Sequence, residues 1–428
     1  MKAHRFPTWL LLGCLLLPAL PVQAQDTPAQ VQAYFSVNSL GDEGDPDTGD
    51  GICDTTGRRN PETPYSGLCT LRAAIQTANS NADADIIGFR LMGGVIQPAT
   101  QLPAIDFATT IEGPVALDGS PLITIDGSLL TGMGAGLAAF DHGGITISGL
   151  RIRKFGGWGI LLSDDEGGNT VQNCDVRENN TGINSSSPNT TIANNLIVLN
   201  TGYGIWISAD SHTIKGNKIG TDGTQDLGNA GGIRISSANN LVGAATGISA
   251  GGACTGDCNL ISGNNGNGID IAQGTDPGDG VNNTVRGNFI GVNLAGMAAI
   301  PNGENGITTN GDANSIIGNL IAGNGAAGAF DGAHGIYLEA GAIGNFVRGN
   351  LIGVAIDGIT ALGNYDAGVN MNFANQNIIG ADTVAAAGLR AIPATCTGDC
   401  NVILGNRAGI SITQAISPGL NKIIGNFI

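Results

Sequence analysis

The sequence predicts an all-β fold: a parallel β-helix with three short strands per coil, behind an N-terminal capping segment that contains one helix. Three observations predict it. A Gly-Ile-x-Ile strand recurs along the chain, with steps of 23 and 22 residues from Gly159 to Gly182 to Gly204. Between successive copies lies a second signature, Ile/Val-x-Gly/Asn-Asn-x-Ile/Val, at Ile192 to Ile197, Ile214 to Ile219, Val285 to Ile290, Ile316 to Ile321, Val347 to Ile352 and Ile423 to Ile428. The composition, 70 glycines in 428 residues with 42% hydrophobic and 12% charged, is glycine-heavy yet apolar enough for a core.

From the N-terminus, Lys2 and Arg5 precede an apolar run from Phe6 to Val22, and Val22-Gln23-Ala24 offers the small residues of a secretory cleavage site. Residues 1–24 are therefore expected to be a bacterial-type signal peptide, with no transmembrane span after cleavage and a secreted or outer-surface location. Residues 25–109 read as the N-terminal cap. Thr70 is placed as the N-cap of a helix whose Leu71, Ala74, Ile75 and Ala78 fall on one face at i, i+3, i+4 and i+7. A solenoid exposes an apolar end unless something covers it, and that face suits a lid.

Residues 110–428 read as β-helix repeats. Strand-like segments begin irregularly at Thr110-Ile111, Ile123 to Asp126 and Ile145 to Ile147, and regular coils follow. The alternating strand has period 2, and a 22-residue turn of three strands is one coil, stacking on the next at about 4.8 Å. The second signature places Cys174, Asn195, Asn217, Asn259, Asn288, Asn319, Asn350, Asn401 and Asn426 at one corner. A side-chain amide both donates and accepts, so these residues are expected to form a hydrogen-bonded ladder with Cys174 as a buried, unpaired first rung. Extra residues at 221–229, 292–302 and 354–364, before the Gly-Ile strand, and the Cys-Thr-Gly-Asp-Cys insertions, between the second and third strands, are expected as loops at two corners. The last coil ends midway at Ile428, from which truncation of a longer protein is expected.

Export makes disulfides plausible, and Cys53 with Cys69, Cys254 with Cys258 and Cys396 with Cys400 form natural pairs. Zinc binding is the alternative for the last two pairs, although no further ligands lie near them.

The segment Cys69-Thr70-Leu71-Arg72-Ala73-Ala74-Ile75 resembles the motif of secreted bacterial proteins named for Cys-Ser-Leu-Arg-Glu-Ala (CSLREA), in which right-handed parallel β-helix repeats of the pectin-lyase-like superfamily follow. The resemblance runs from Tyr34 to Ile428. It departs at Thr70, where the motif has Ser, and at Ala73, where it has Glu. It implies a right-handed coil and an exported, often surface-associated protein, and says little about activity, since fold alone does not fix function.

Thirty-five acids against 18 bases give a net charge of −17, which excludes nucleic acid as a partner. The x positions of the Gly-Ile-x-Ile strands point outward, so Leu161, Asn184, Trp206, Arg234, Asp270, Thr308, Tyr337, Asn370 and Ser411 are expected to line up on one face. Trp206, Arg234, Asp270, Tyr337 and Asn370 are the candidate glycan-binding residues, by aromatic stacking and hydrogen bonding to hydroxyls. An ordinary solvated sheet face is the alternative. Asp164, Asp165, Asp210 and His212 are candidate acid–base groups in the turns after two such strands, with a simple polar turn as the alternative. Asp45, Asp47 and Asp50 lie in the densest acidic run, a candidate Ca²⁺ loop that lacks EF-hand spacing and otherwise reads as a solvated loop. Pectate-lyase-like enzymes place a basic residue beside calcium, and polygalacturonase-like enzymes carry Asp, His and Arg motifs in fixed order. Neither set can be placed here. The reading is a non-catalytic scaffold, adhesive or carbohydrate-contacting protein that requires no cofactor, with an extracellular polysaccharide lyase or glycoside hydrolase as the alternative.

Overall fold

A computed structural model of the chain describes residues 33–56, 67–248, 250–274, 278–325, 332–381, 396, 398–413 and 421–428. Met1–Val31 form a unit of their own that, with the expected signal peptide, lies outside the described residues; Gln32–Ile428 form the second. The described strands of that unit make three parallel sheets, each built by stacking one strand per coil.

The first sheet begins at Tyr34–Val37 and Asp85–Phe89, within the expected cap, and runs in chain order to Lys422–Ile424. The second runs from Gly94–Ile96 to Val402–Ile403, and the third from Ala135–Ala139 to Ala408–Thr413. The third sheet carries the Gly-Ile-x-Ile strands. In it Leu137, Ile160, Ile183, Ile205, Ile233, Ile269, Ile307, Ile336 and Val369 stack in register as a fully buried column. β-branched residues fit this setting because the pleat already restricts the rotamers they favour, and burial of each contributes about 1.5–3 kcal/mol.

Between the first and second sheets the chain turns through a left-handed residue: Asn173, Asn194, Gly216, Gly287, Gly318, Gly349 and Gly425 have φ between 54° and 70°. Only Gly, and to a lesser extent Asn, adopts this conformation at low cost, hence the Gly/Asn-Asn signature. The residue that follows is the ladder rung. Side-chain amides link Asn195, Asn217, Asn259, Asn288, Asn319, Asn350, Asn401 and Asn426 one to the next at 2.8–3.0 Å. Cys174 stands at the head, its backbone N–H donating to Asn195 Oδ1 at 2.9 Å. Its thiol is unpaired and buried, and burial pushes its pKa up to about 12.

The other two corners carry ladders that the repeat signatures did not mark. One links His212, Asn240, Asn283, Asn314, Asn345, Asn377 and Asn421. The other links Asn179, Asn200, Asn229, Asn264, Asn302, Asn324, Asn364 and Asn406.

The helix spans Leu71–Ala78, with Thr70 Oγ1 accepting from Ala73 N at 3.1 Å as its cap. Leu71, Ala74, Ile75 and Ala78 are buried in the same core as Val37 and Ile87. Arg72 is a clamp: Nε and Nη2 bond Asp42, while Nη1 and Nη2 donate to the carbonyls of Gln101 and Thr100. The three cysteine pairs are disulfides, so the zinc alternative falls.

The described insertions precede and follow strands of the second sheet. Antiparallel bridges Thr221 with Asp226, Val292 with Ala299 and Val354 with Ala361 close three of them. With both Cys-Thr-Gly-Asp-Cys turns they help build a satellite core on outward side chains of the second sheet, including Leu260, Phe289, Leu320, Leu351 and Val402.

Candidate functional site

The outer face of the third sheet carries side chains capable of chemistry. Strand pairing aligns Leu161, Asn184, Trp206, Arg234, Asp270, Thr308, Tyr337, Asn370 and Ser411 as successive neighbours on successive coils. Trp206 is 38% exposed, whereas Thr308 is buried and the other polar members are half-buried.

At the centre of the file three side chains from successive coils meet. Arg234 Nη1 donates to Asp270 Oδ2 at 3.0 Å and to Tyr203 Oη at 3.2 Å, and Tyr203 Oη lies 3.3 Å from the same carboxylate oxygen. Tyr203 belongs to the coil before Arg234 and reaches across it because residue 231, its strand partner, is glycine. A Cβ there would stand 2.5 Å from the Tyr203 ring. The guanidinium also lies 5.6 Å from the Tyr203 ring centre and 5.8 Å from that of Trp206. Trp206 Nε1 donates to Ser236 Oγ at 3.2 Å.

Farther along, His334 is buried against Tyr337, with ring centres 5.3 Å apart. Its Nδ1 accepts from Ala367 N at 3.2 Å, so the neutral ring carries its proton on Nε2, 2.7 Å from the Asn370 amide. That assignment turns the amide oxygen of Asn370 toward the ring and supplies it with a donor. Burial lowers the His334 pKa, opposed by the Asp366 carboxylate at 3.8 Å. Asn372 Nδ2 donates to Tyr337 Oη at 2.9 Å. Glu339 follows two residues after Tyr337, and its pKa is raised by burial and then by the charge of Asp270. Asp270 is itself raised by burial, with Arg234 and Tyr203 pulling it back.

The candidate acids in the turns are not assembled as expected. Asp164 is fully buried: Oδ1 accepts from Gly167 N and Oδ2 from Asn169 Nδ2, each at 2.7 Å, which makes it a turn-holding residue. His212 is a ladder rung, 1% exposed, with its ring nitrogens against Asn240 Oδ1 at 3.1 Å and Ser185 Oγ at 3.0 Å. Asp165 and Asp210 are exposed, and one oxygen of Asp210 accepts from Ala238 N at 2.8 Å. Sealed as they are, Asp164 and His212 cannot reach a polysaccharide, so this group does not form a site.

The acidic run near the N-terminus does not converge either. Asp45 Oδ1 accepts from Asp47 N, and Oδ2 accepts from Thr77 Oγ1 at 2.7 Å, anchoring the loop to the helix. Asp50 Oδ1 accepts from Ile52 N. Among the described residues no three acidic, His or Cys side chains stand close enough to share a metal ion.

Tyr203, His334, Glu339 and Asn372 were absent from the sequence-derived set. They stand at the edges of the strands, outside the single x position that the repeat pattern marks. For Tyr203 the signal in the sequence was the aromatic immediately before Gly204-Ile205.

Among the described residues no helix is long and apolar enough to cross a membrane. The family described as "right handed beta helix region" matches residues 113–290. In fold the chain is similar to a mannuronan C-5 epimerase A-module from Azotobacter vinelandii, AlgE6, at 14% identity and a TM-score of 0.52, covering 92% of this chain and 98% of that one. The AlgE4 A-module of the same organism gives 12% identity and a TM-score of 0.49, with 91% and 97% covered. The pectate lyase Pel9A gives 16% and 0.38, with 75% and 80% covered. No curated protein matches the sequence. Three stacked parallel sheets, the family match and the likeness to the first of these structures make the fold a right-handed parallel β-helix.

Proposed function

We propose that this is a secreted or surface-displayed glycan-contacting protein, and that a glycan chain lies along the outer face of the third sheet. The observation that carries the reading is the in-register file from Asn184 to Asn370, where the aromatic rings of Trp206 and Tyr337 stand among hydrogen-bonding groups on successive coils. Trp206 and Tyr337 supply faces for sugar stacking, and Asn184, Arg234, Asp270 and Asn370 supply donors and acceptors for hydroxyls. Described loops, by contrast, pack on the outward side chains of the second sheet. The reading calls for no cofactor.

Retention of the purified protein on immobilised polysaccharides, with and without Ca²⁺, tests it. Trp206→Ala is expected to weaken retention roughly tenfold, the worth of one stacking contact of about 1.5 kcal/mol. Its melting temperature should be unchanged, because the ring is not part of the core. A wild-type protein retained by no polysaccharide overturns the reading, and a loss of retention on chelation restores calcium to it.

A further inference from the structure

We propose that Asp270 and Glu339 are the base and the acid of a glycoside-hydrolysing centre on the third sheet, acting on an uncharged glycan. The inference rests on the glycan-binding reading and adds a reaction to it.

Asp270 and Tyr337 occupy the same file with Thr308 between them, so their strands are two coils, or about 10 Å, apart. Glu339 N donates to Thr309 O at 2.8 Å, which carries the strand pairing one residue past Leu338. By alternation the Glu339 side chain then projects from the same face as Tyr337. Two carboxyl groups therefore flank a stretch of sheet bordered by Trp206 on one side and Tyr337 on the other. Glu339 lies two residues past Tyr337, about 7 Å farther along the strand, so its backbone stands about 12 Å from that of Asp270 on the diagonal; less the reach of the two side chains, this leaves room for a water beside the scissile bond. That is the arrangement of inverting hydrolases, whose carboxyls stand about 6.5–9.5 Å apart; in retaining enzymes they stand about 5 Å apart.

The two groups are set for different roles. The bonds from Arg234 and Tyr203 converge on Asp270 Oδ2, and Oδ1 takes neither of them. Burial raises the Asp270 pKa, Arg234 and Tyr203 oppose that rise in favour of the ionised form, and Oδ1 is the oxygen that can draw a proton from water. Glu339 feels burial and the charge of Asp270, both of which favour keeping its proton. In the reaction, protonated Glu339 gives its proton to the glycosidic oxygen as the bond from C1 to that oxygen breaks. Asp270 takes a proton from a solvent water whose oxygen bonds to C1. One water is consumed, a new reducing end and a free hydroxyl are formed, and the two carboxyls recover their starting protonation by exchange with solvent.

The charge balance selects the substrate. Arg234, the cation of the centre, is already paired with Asp270, while Glu339 and Asp366 add further acid to the same face. A polyuronate would bring a carboxylate on every sugar into this surplus, under a net charge of −17 for the chain. An uncharged glycan meets no such repulsion.

The test incubates the full secreted chain with laminarin, xylan, galactomannan, starch, alginate and polygalacturonate. Retention and the release of chain ends are read separately, for wild type, Glu339→Gln and Asp270→Asn. The expected result is release of reducing ends from an uncharged polysaccharide, lowered on the order of 10²–10⁴-fold in each variant, with retention kept in Glu339→Gln. Asp270→Asn also unpairs Arg234, so its melting temperature is measured alongside, and the isosteric Glu339→Gln is the deciding variant. Retention without release from any uncharged polysaccharide overturns the hydrolase and leaves the binding reading standing. No retention and no release overturn both. Release unaffected by Glu339→Gln, or confined to alginate or polygalacturonate, overturns the assignment.

Discussion

His212 shows how one side chain can look catalytic in sequence and be structural in space. Asn240 Oδ1 can only accept, so the ring carries its proton on Nδ1 and Nε2 accepts from Ser185. Burial lowers its pKa from 6.5 to about 4. The unfolded chain therefore binds the proton first as pH falls. The stability contributed by the neutral ring is whole above about pH 6.5 and is lost as pH drops toward about 4. At about 1.4 kcal/mol per pH unit, that loss comes to about 3 kcal/mol. His212→Asn, which installs the residue used by the other rungs of this ladder, should flatten the decline. Urea unfolding at pH values on either side of the window measures it, and an unchanged acid slope would mean that His212 is not the titrating group. Asp164 teaches the same point, because an Asp-Asp-Glu run reads alike whether it faces solvent or closes a turn, and burial alone decides.

At the scale of the elements, the corner ladders hold the coils in register. Asn288 accepts from Asn259 Nδ2, and its own amide donates to Asn319 Oδ1 and Val242 O, all at 2.9–3.0 Å inside the core. Asn288→Ala strands the donor of Asn259 and the carbonyl of Val242. At about 1–3 kcal/mol for each of these two buried unsatisfied groups, the expected loss is about 2–6 kcal/mol in denaturant unfolding. Asn184→Ala, on the half-buried outer face, should cost under about 0.5 kcal/mol. The first ladder was legible because a left-handed Gly or Asn marks the position before most rungs, Asn259 and Asn401 following cysteines instead. The second was written as Asn directly before a strand, in Asn240-Leu-Val, Asn283-Thr-Val, Asn314-Ser-Ile and Asn345-Phe-Val. It was hidden because Asn is common in turns and because its first rung is a histidine. The outer file was legible by alternation alone. The Tyr203–Arg234–Asp270 contacts were not, because they need a side chain to cross Gly231, and no local pattern reports that.

At the scale of the molecule, the strands of each coil pair with those of its neighbours, so coils should be exchangeable units of stability. Residues 182–203 make one coil, since Ile183 pairs with Ile205. Deleting them joins Thr181 to Gly204 and restores the same register. The shortened chain should fold, melt cooperatively and keep its strand signature in circular dichroism, whereas removing half as many residues from the same place should unfold the coils around it. Failure of the full-coil deletion to fold would mean that longer-range contacts hold the stack.

The division of the third sheet into an inward column of isoleucines and an outward file has a consequence for inheritance. The ladders and the inward isoleucines answer to folding, while the outward file contributes little to the core that folding must preserve. Selection for a stable chain is therefore nearly blind to that row of side chains. Descendants of one ancestor can keep every rung and every glycine corner while the row is rewritten position by position, so that kinship and specificity in such proteins drift apart and are recorded in different letters of the same repeat.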